Sequence, residues 1–180
     1  MSNRSPELQL DDPAAGPGVF HHTPGLSFEG RVVEGWERFI DRYQWDWFAT
    51  FTFRESKHPE AADKTYRVWI SELQQAVAGI NYQKKPRDQV RWVRGLEWQK
   101  RGVIHFHALL YHRMNLNLCQ QRLAWMDEWT RLTGAIARIY PCDSSGDVRR
   151  YIAKYCGKGG EVDCSPNLPR VCPGRAGIRA

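Results

Sequence analysis

The sequence predicts an α+β domain, an antiparallel sheet carrying helices on one face and leaving the other open for chemistry. Three observations carry this. Strand-like and helix-like segments alternate as β-α-β-β-α-β-α across residues 31–158, and the first strand is a dense run of aromatic and β-branched residues. The middle two strands form a hairpin whose apolar faces coincide only for a connecting loop of odd length.

A chain of 180 residues has room for one domain with a real core. Its net charge of +6 and pI near 9.2 favour a polyanionic partner. No apolar run is long enough to span a bilayer, and the opening MSNRSPELQLDDP lacks the apolar core of a secretory signal, so a soluble, cytoplasmic protein is expected. The five cysteines (Cys119, Cys142, Cys156, Cys164, Cys172) contain no C-x-x-C pair, which suits reduced thiols. Residues 1–30, rich in Pro and Gly, read as a flexible arm, and residues 159–180 as a basic tail.

The domain between them begins with a short amphipathic helix from about Val32 to Tyr43. The strand Trp47 to Phe53 follows, with Ala49, Phe51 and Phe53 on one face and Phe48, Thr50 and Thr52 on the other. Pro59 opens a helix that runs to about Ala78, where Gly79 stops it. Gln89 to Tyr111 holds the hairpin. A helix from about Leu118 to Leu132, a strand from Ala135 to Tyr140 and a last helix from about Asp147 to Lys158 complete the order. A four-stranded antiparallel sheet of ferredoxin-like or RNA-recognition-like (RRM-like) layout is its natural closure, with the helices on one face and the active site on the other.

Within the hairpin, Ile104, Phe106, Ala108 and Leu110 form an apolar face and put His105 and His107 together on the opposite one. Trp92, Leu96 and Trp98 form the matching face of the preceding strand, leaving Val93, Gly95 and Glu97 on the other. A three-residue loop, Lys100-Arg101-Gly102, with glycine in the left-handed conformation, satisfies both patterns. It sets Glu97 across from His105 and Gly95 across from His107.

Two imidazoles two residues apart on a strand stand about 7 Å apart at roughly 3.3 Å per residue. Alone, such a pair is more often two exposed strand histidines. An acidic oxygen from Glu97 beside them makes a mixed site suited to Mn²⁺ or Mg²⁺ with positions left for substrate. On the last helix Tyr151, Lys154, Tyr155 and Lys158 share one face, while Val148, Ile152 and Cys156 form its apolar stripe. Ordinary amphipathic tyrosines with snorkelling lysines are the alternative there. Taken together, the parts suit attack of a tyrosine on a phosphate: a cation polarises the phosphate, and lysine ammonium groups hold its charge. A phenol with a pKa near 10 needs such a cation to become a good nucleophile.

The runs FATFTF (Phe48 to Phe53), HFHALL (His105 to Leu110) and YIAKYCGK (Tyr151 to Lys158) resemble, in order, the three motifs of HUH endonucleases, the rolling-circle replication initiators. The Y-x-x-K-Y spacing is similar to the two-tyrosine branch of phages and some plasmids. The resemblance implies His105 and His107 as metal ligands, Glu97 as the third with Asp143 and Asp147 as fallbacks, Tyr151 as first nucleophile, Tyr155 as second, and Lys154 on the phosphate. It also implies single-stranded or hairpin origin DNA as substrate, and a host or separately encoded helicase and polymerase as partners, since no phosphate-binding G-x-x-x-x-G-K-[ST] loop occurs.

Arg91, Arg94, Lys100 and Arg101 around the hairpin, with Arg149, Arg150 and Lys158 around the tyrosines, are expected to neutralise DNA phosphates. Trp92 and Trp98 face the core by parity. His21, His22, His58 and His112 read as structural or incidental. A single-strand transposase or relaxase shares this chemistry; a non-catalytic ferredoxin-like nucleic-acid-binding domain is the reading from another class.

Overall fold

A computed structural model describes residues 28–142 and 161–168. In chain order these form α1 (Phe28–Ile40), β1 (Trp47–Thr52), α2 (Pro59–Ala78), β2 (Arg91–Trp98), β3 (Ile104–Tyr111), the single turn α3 (Leu116–Cys119), α4 (Arg122–Thr133), β4 (Ala137–Pro141) and β5 (Val162–Cys164). The strands lie in the order β4-β1-β3-β2-β5, each antiparallel to its neighbour. The first four take the ferredoxin-like arrangement expected from the element order.

Alternation in β1 buries Trp47, Ala49 and Phe51 on the face covered by α2 and α4. Pro59 starts α2 and Gly79 ends it at φ 84°, its N–H donating to the Gln75 carbonyl. Helical spacing then directs Ala62, Tyr66, Trp69 and Leu73 into the sheet. Phe51 is the hub of an aromatic core, with ring centroids 4.7 Å from Trp69, 4.7 Å from Trp129 and 5.5 Å from Tyr66. The Trp129 indole N–H donates to the Thr52 carbonyl at 2.8 Å, so α4 satisfies a strand-end acceptor while filling the core.

The hairpin adopts the expected register. Glu97 pairs with His105 and Gly95 with His107. Gln99 N–H donates to the Val103 carbonyl at 3.0 Å, closing a three-residue loop in which Gly102 has φ 72°.

Four features depart from expectation. First, α1 packs on the second face of the sheet, where Val33, Trp36, Phe39 and Ile40 meet Phe48, Val93 and Leu109. One end of that face is therefore covered and the other carries the polar groups. Second, residues 162–164, expected in the tail, form an edge strand on β2, with Val162 and Cys164 in the same cluster as α1. Third, the expected helix from Leu118 is broken at Gln120, whose backbone is extended. The turn before the break is tethered to the start of β1: the Asp46 carboxylate accepts from the Leu116 N–H at 3.0 Å, and Asn117 accepts from the Trp47 indole at 3.0 Å. Fourth, Trp98 is half-exposed, because the end of β2 projects past the helices.

Phe51→Ala removes the hub of the aromatic core and is expected to lower the unfolding free energy by about 3–5 kcal/mol in urea denaturation. A loss under about 1 kcal/mol would mean the surrounding indoles collapse into the space.

Candidate metal centre

Glu97, His105 and His107 each direct one potential ligand atom into a group in which all such atoms lie within 4.8 Å of one another. Strand parity produces this. His105 and His107 leave β3 on the side away from α2 and α4, and Glu97 leaves β2 beside them. The Glu97 Oε2 stands 2.9 Å from His107 Nε2. His105 Nε2 is buried and has no hydrogen-bond partner.

That buried nitrogen identifies what the cluster fits. A buried polar atom left without a partner is uncommon, and a lone pair directed toward a carboxylate and a second imidazole is the donor set of a divalent cation. An octahedral ion with ligands at about 2.1 Å sets neighbouring ligand atoms roughly 3 Å apart, close to the Glu97–His107 separation. A bound Mn²⁺ or Mg²⁺ would be held by these three side chains.

Both imidazoles are pushed below the ordinary histidine value. Burial is the main cause for each; His105 also feels His107 and Arg101, while Glu97 pulls both rings the other way. A ring that binds a cation must be neutral, so this depression prepares the ligands at neutral pH.

Two side chains of β1 complete the surroundings of His107. The Thr50 hydroxyl lies 3.2 Å from Nδ1, and the Phe48 ring is nearly parallel to the imidazole, 10° between planes with centroids 6.3 Å apart. The same register places Arg138 beside Thr50 and Tyr140 beside Phe48 on β4. Both are exposed. Sequence reasoning missed Arg138 and Tyr140; the available signal was the alternation of β4, where Ala137 and Ile139 are buried and the residues between them are not.

Among the basic residues, Lys100 and Arg101 are exposed at the hairpin tip, and Arg91 is half-buried over the Tyr111 ring. Arg94 is a correction. It points toward α2, its guanidinium stacked between Phe106 and Tyr66 at 4.2 and 4.6 Å from their centroids and bonded to Asp63 at 2.7 Å. Its charge is neutralised inside the fold, because its parity matches the core-facing Trp92 and Leu96. His112 is buried and structural, its N–H donating to Asp46 and its Nε2 bonded to the Asp88 carbonyl. The expected last helix, with Tyr151, Lys154, Tyr155, Arg149, Arg150, Lys158 and Asp147, lies outside the described residues, as does Asp143.

The family model for the replication-associated protein ORF2 matches residues 46–160. The chain belongs to this family. No curated protein and no solved structure gives a significant match. The family match takes in the β1 strand, the whole cation-binding cluster and the segment that holds Tyr151 and Tyr155. In this replication-associated protein the Glu97, His105, His107 cluster resembles the metal site of an HUH motif. Among the described residues, no helix is long and apolar enough to cross a membrane.

The lowered histidine values have a direct consequence. Protons compete with a cation only once the pH falls to the folded-state value of the ring, so Mn²⁺ affinity measured by calorimetry is expected to be level from about pH 7 to 8 and to drop only below about 6.5. A tenfold loss between pH 8 and 7 would contradict neutral, burial-depressed imidazoles. Glu97→Ala should weaken binding at every pH in this range.

Proposed function

We propose that this protein nicks and rejoins single-stranded DNA through a tyrosine ester, and so starts and ends rolling-circle replication. The observation that supports this most is the convergence of one carboxylate and two neutral imidazoles on the uncovered part of the sheet in a replication-associated chain.

A bound Mn²⁺ or Mg²⁺ supplies Lewis-acid polarisation of the scissile phosphate. Tyr151 attacks the phosphorus, its phenolic proton is lost, and the 3′ oxygen leaves, so a 5′-phosphotyrosine ester replaces the broken phosphodiester. Lys154 holds the phosphate charge. Because the ester conserves the bond, the free 3′ hydroxyl can prime synthesis and the break can be resealed without ATP. Tyr155, one helical turn from Tyr151 in sequence, attacks the regenerated site after one round of synthesis. Thus a single face of one helix supplies both nucleophiles in turn.

The strand would approach over the open face. Arg138 lies two strands from His107, roughly 10 Å at about 4.8 Å per strand, and Tyr140 offers an exposed ring on which an unpaired base can stack. Lys100 and Arg101 bring positive charge to the other side of the cluster. Unwinding and synthesis would fall to a separately encoded or host helicase and polymerase.

Incubation with labelled single-stranded DNA and Mn²⁺ is expected to give a covalent adduct on a denaturing gel, absent with chelator and in His105→Ala and His107→Ala. Tyr151→Phe should lose most initial cleavage; Tyr155→Phe should form one adduct but release no unit-length circles. Full-rate cleavage in chelator would remove the metal from the mechanism. An adduct mapped only to Tyr155, or to neither tyrosine, would overturn Tyr151 as first nucleophile.

A further inference from the structure

The imidazole of His107 is held from both ring nitrogens. Nε2 faces Glu97 Oε2 at 2.9 Å and Nδ1 faces Thr50 Oγ1 at 3.2 Å. Thr50 is directly opposite His107 in the β1–β3 pairing, and Phe48, two residues earlier on the same strand face, lies parallel to the ring. We infer that Thr50 is a positioning residue for the cation site, its hydroxyl setting which nitrogen of His107 is available to a metal. This inference rests on the metal-binding reading of the cluster.

The reason lies in the hydrogen-bond inventory. A neutral imidazole carries one proton and offers one lone pair. When Nε2 serves as ligand, the proton must sit on Nδ1, which then donates to the Thr50 oxygen. When no cation is present, the bond to the Glu97 carboxylate calls for the proton on Nε2, and Nδ1 then accepts from the Thr50 hydroxyl. A hydroxyl both donates and accepts, so it satisfies the ring in either state. A carbonyl or carboxylate could only accept, and would hold the proton on Nδ1 permanently. Thr50 therefore supports the ligand-ready ring without stranding a buried nitrogen when the site is empty. The Phe48 ring restricts rotation of the imidazole about its long axis. Thr50 and Phe48 both lie in the first of the three runs singled out in the sequence, FATFTF, which contributes no ligand of its own.

The test compares Thr50→Val, which keeps the branched shape and removes the hydroxyl, with Thr50→Ser, which keeps the hydroxyl. Mn²⁺ binding to each purified full-length protein is measured by calorimetry, with thermal unfolding in chelator as the check on folding. Thr50→Val is expected to weaken Mn²⁺ affinity about 10- to 100-fold, and Thr50→Ser by less than about threefold, with the two metal-free unfolding temperatures close to that of the wild type. Equal affinity in Thr50→Val and wild type would overturn the positioning role while leaving the metal centre intact. So would an equal loss in both variants, which would make the methyl group rather than the hydroxyl responsible. A wild-type protein that binds no Mn²⁺ would instead remove the metal centre itself, and this inference with it.

Discussion

The register of β2 against β3 is the constraint on which the rest of the molecule depends. Side chains alternate along a strand, so a slip of one residue would turn Glu97 toward the helices and bring Trp98 or Leu96 to the open face. The register that seats Leu96 and Phe106 in the core is the same one that gathers Glu97, His105 and His107. Gly102 holds it, since the tight loop needs a residue at φ 72° that a β-carbon would strain. The folding free energy of the apolar face thus maintains the geometry of the polar one.

The sheet separates two environments. On one side, tightly packed aromatic rings around Phe51 leave no room for solvent, and even the guanidinium of Arg94 is enclosed between rings and balanced by Asp63. On the other, α1 covers Phe48, Val93 and Leu109 and stops short of the cluster. That partial cover buries the imidazoles enough to keep them neutral, while the Glu97 side chain remains 31% exposed. Such a graded environment suits a site that must hold a cation firmly and still admit a phosphate.

Much of this was legible from local pattern. The period-two alternation of Phe48 to Phe53 and Ile104 to Leu110, the Pro59 and Gly79 boundaries of α2, and the odd hairpin loop all have short-range causes, and each leads to the observed element. What was missed depends on contacts distant in sequence. Which face α1 covers is decided by where Val93 and Leu109 leave an apolar patch, and a three-residue strand such as Val162–Cys164 is too short to show a period. Trp98 has core parity yet is exposed, because parity sets a face and cannot say how far the covering helices extend. Arg94 sits in a basic run in sequence, but its parity placed it with Trp92 and Leu96, a conflict that only its ion pairs with α2 and β5 resolve. The Thr50–His107 contact required knowing that β1 lies beside β3.

The claim at the centre of this account is that Glu97, His105 and His107 bind one divalent cation. Anomalous diffraction at the manganese edge, from crystals of the full chain grown with Mn²⁺, tests it most directly. The account requires one strong peak within bonding distance of a Glu97 carboxylate oxygen and Nε2 of both histidines. A fully ordered cluster with no peak between these three side chains, or manganese bound elsewhere in its place, would contradict it.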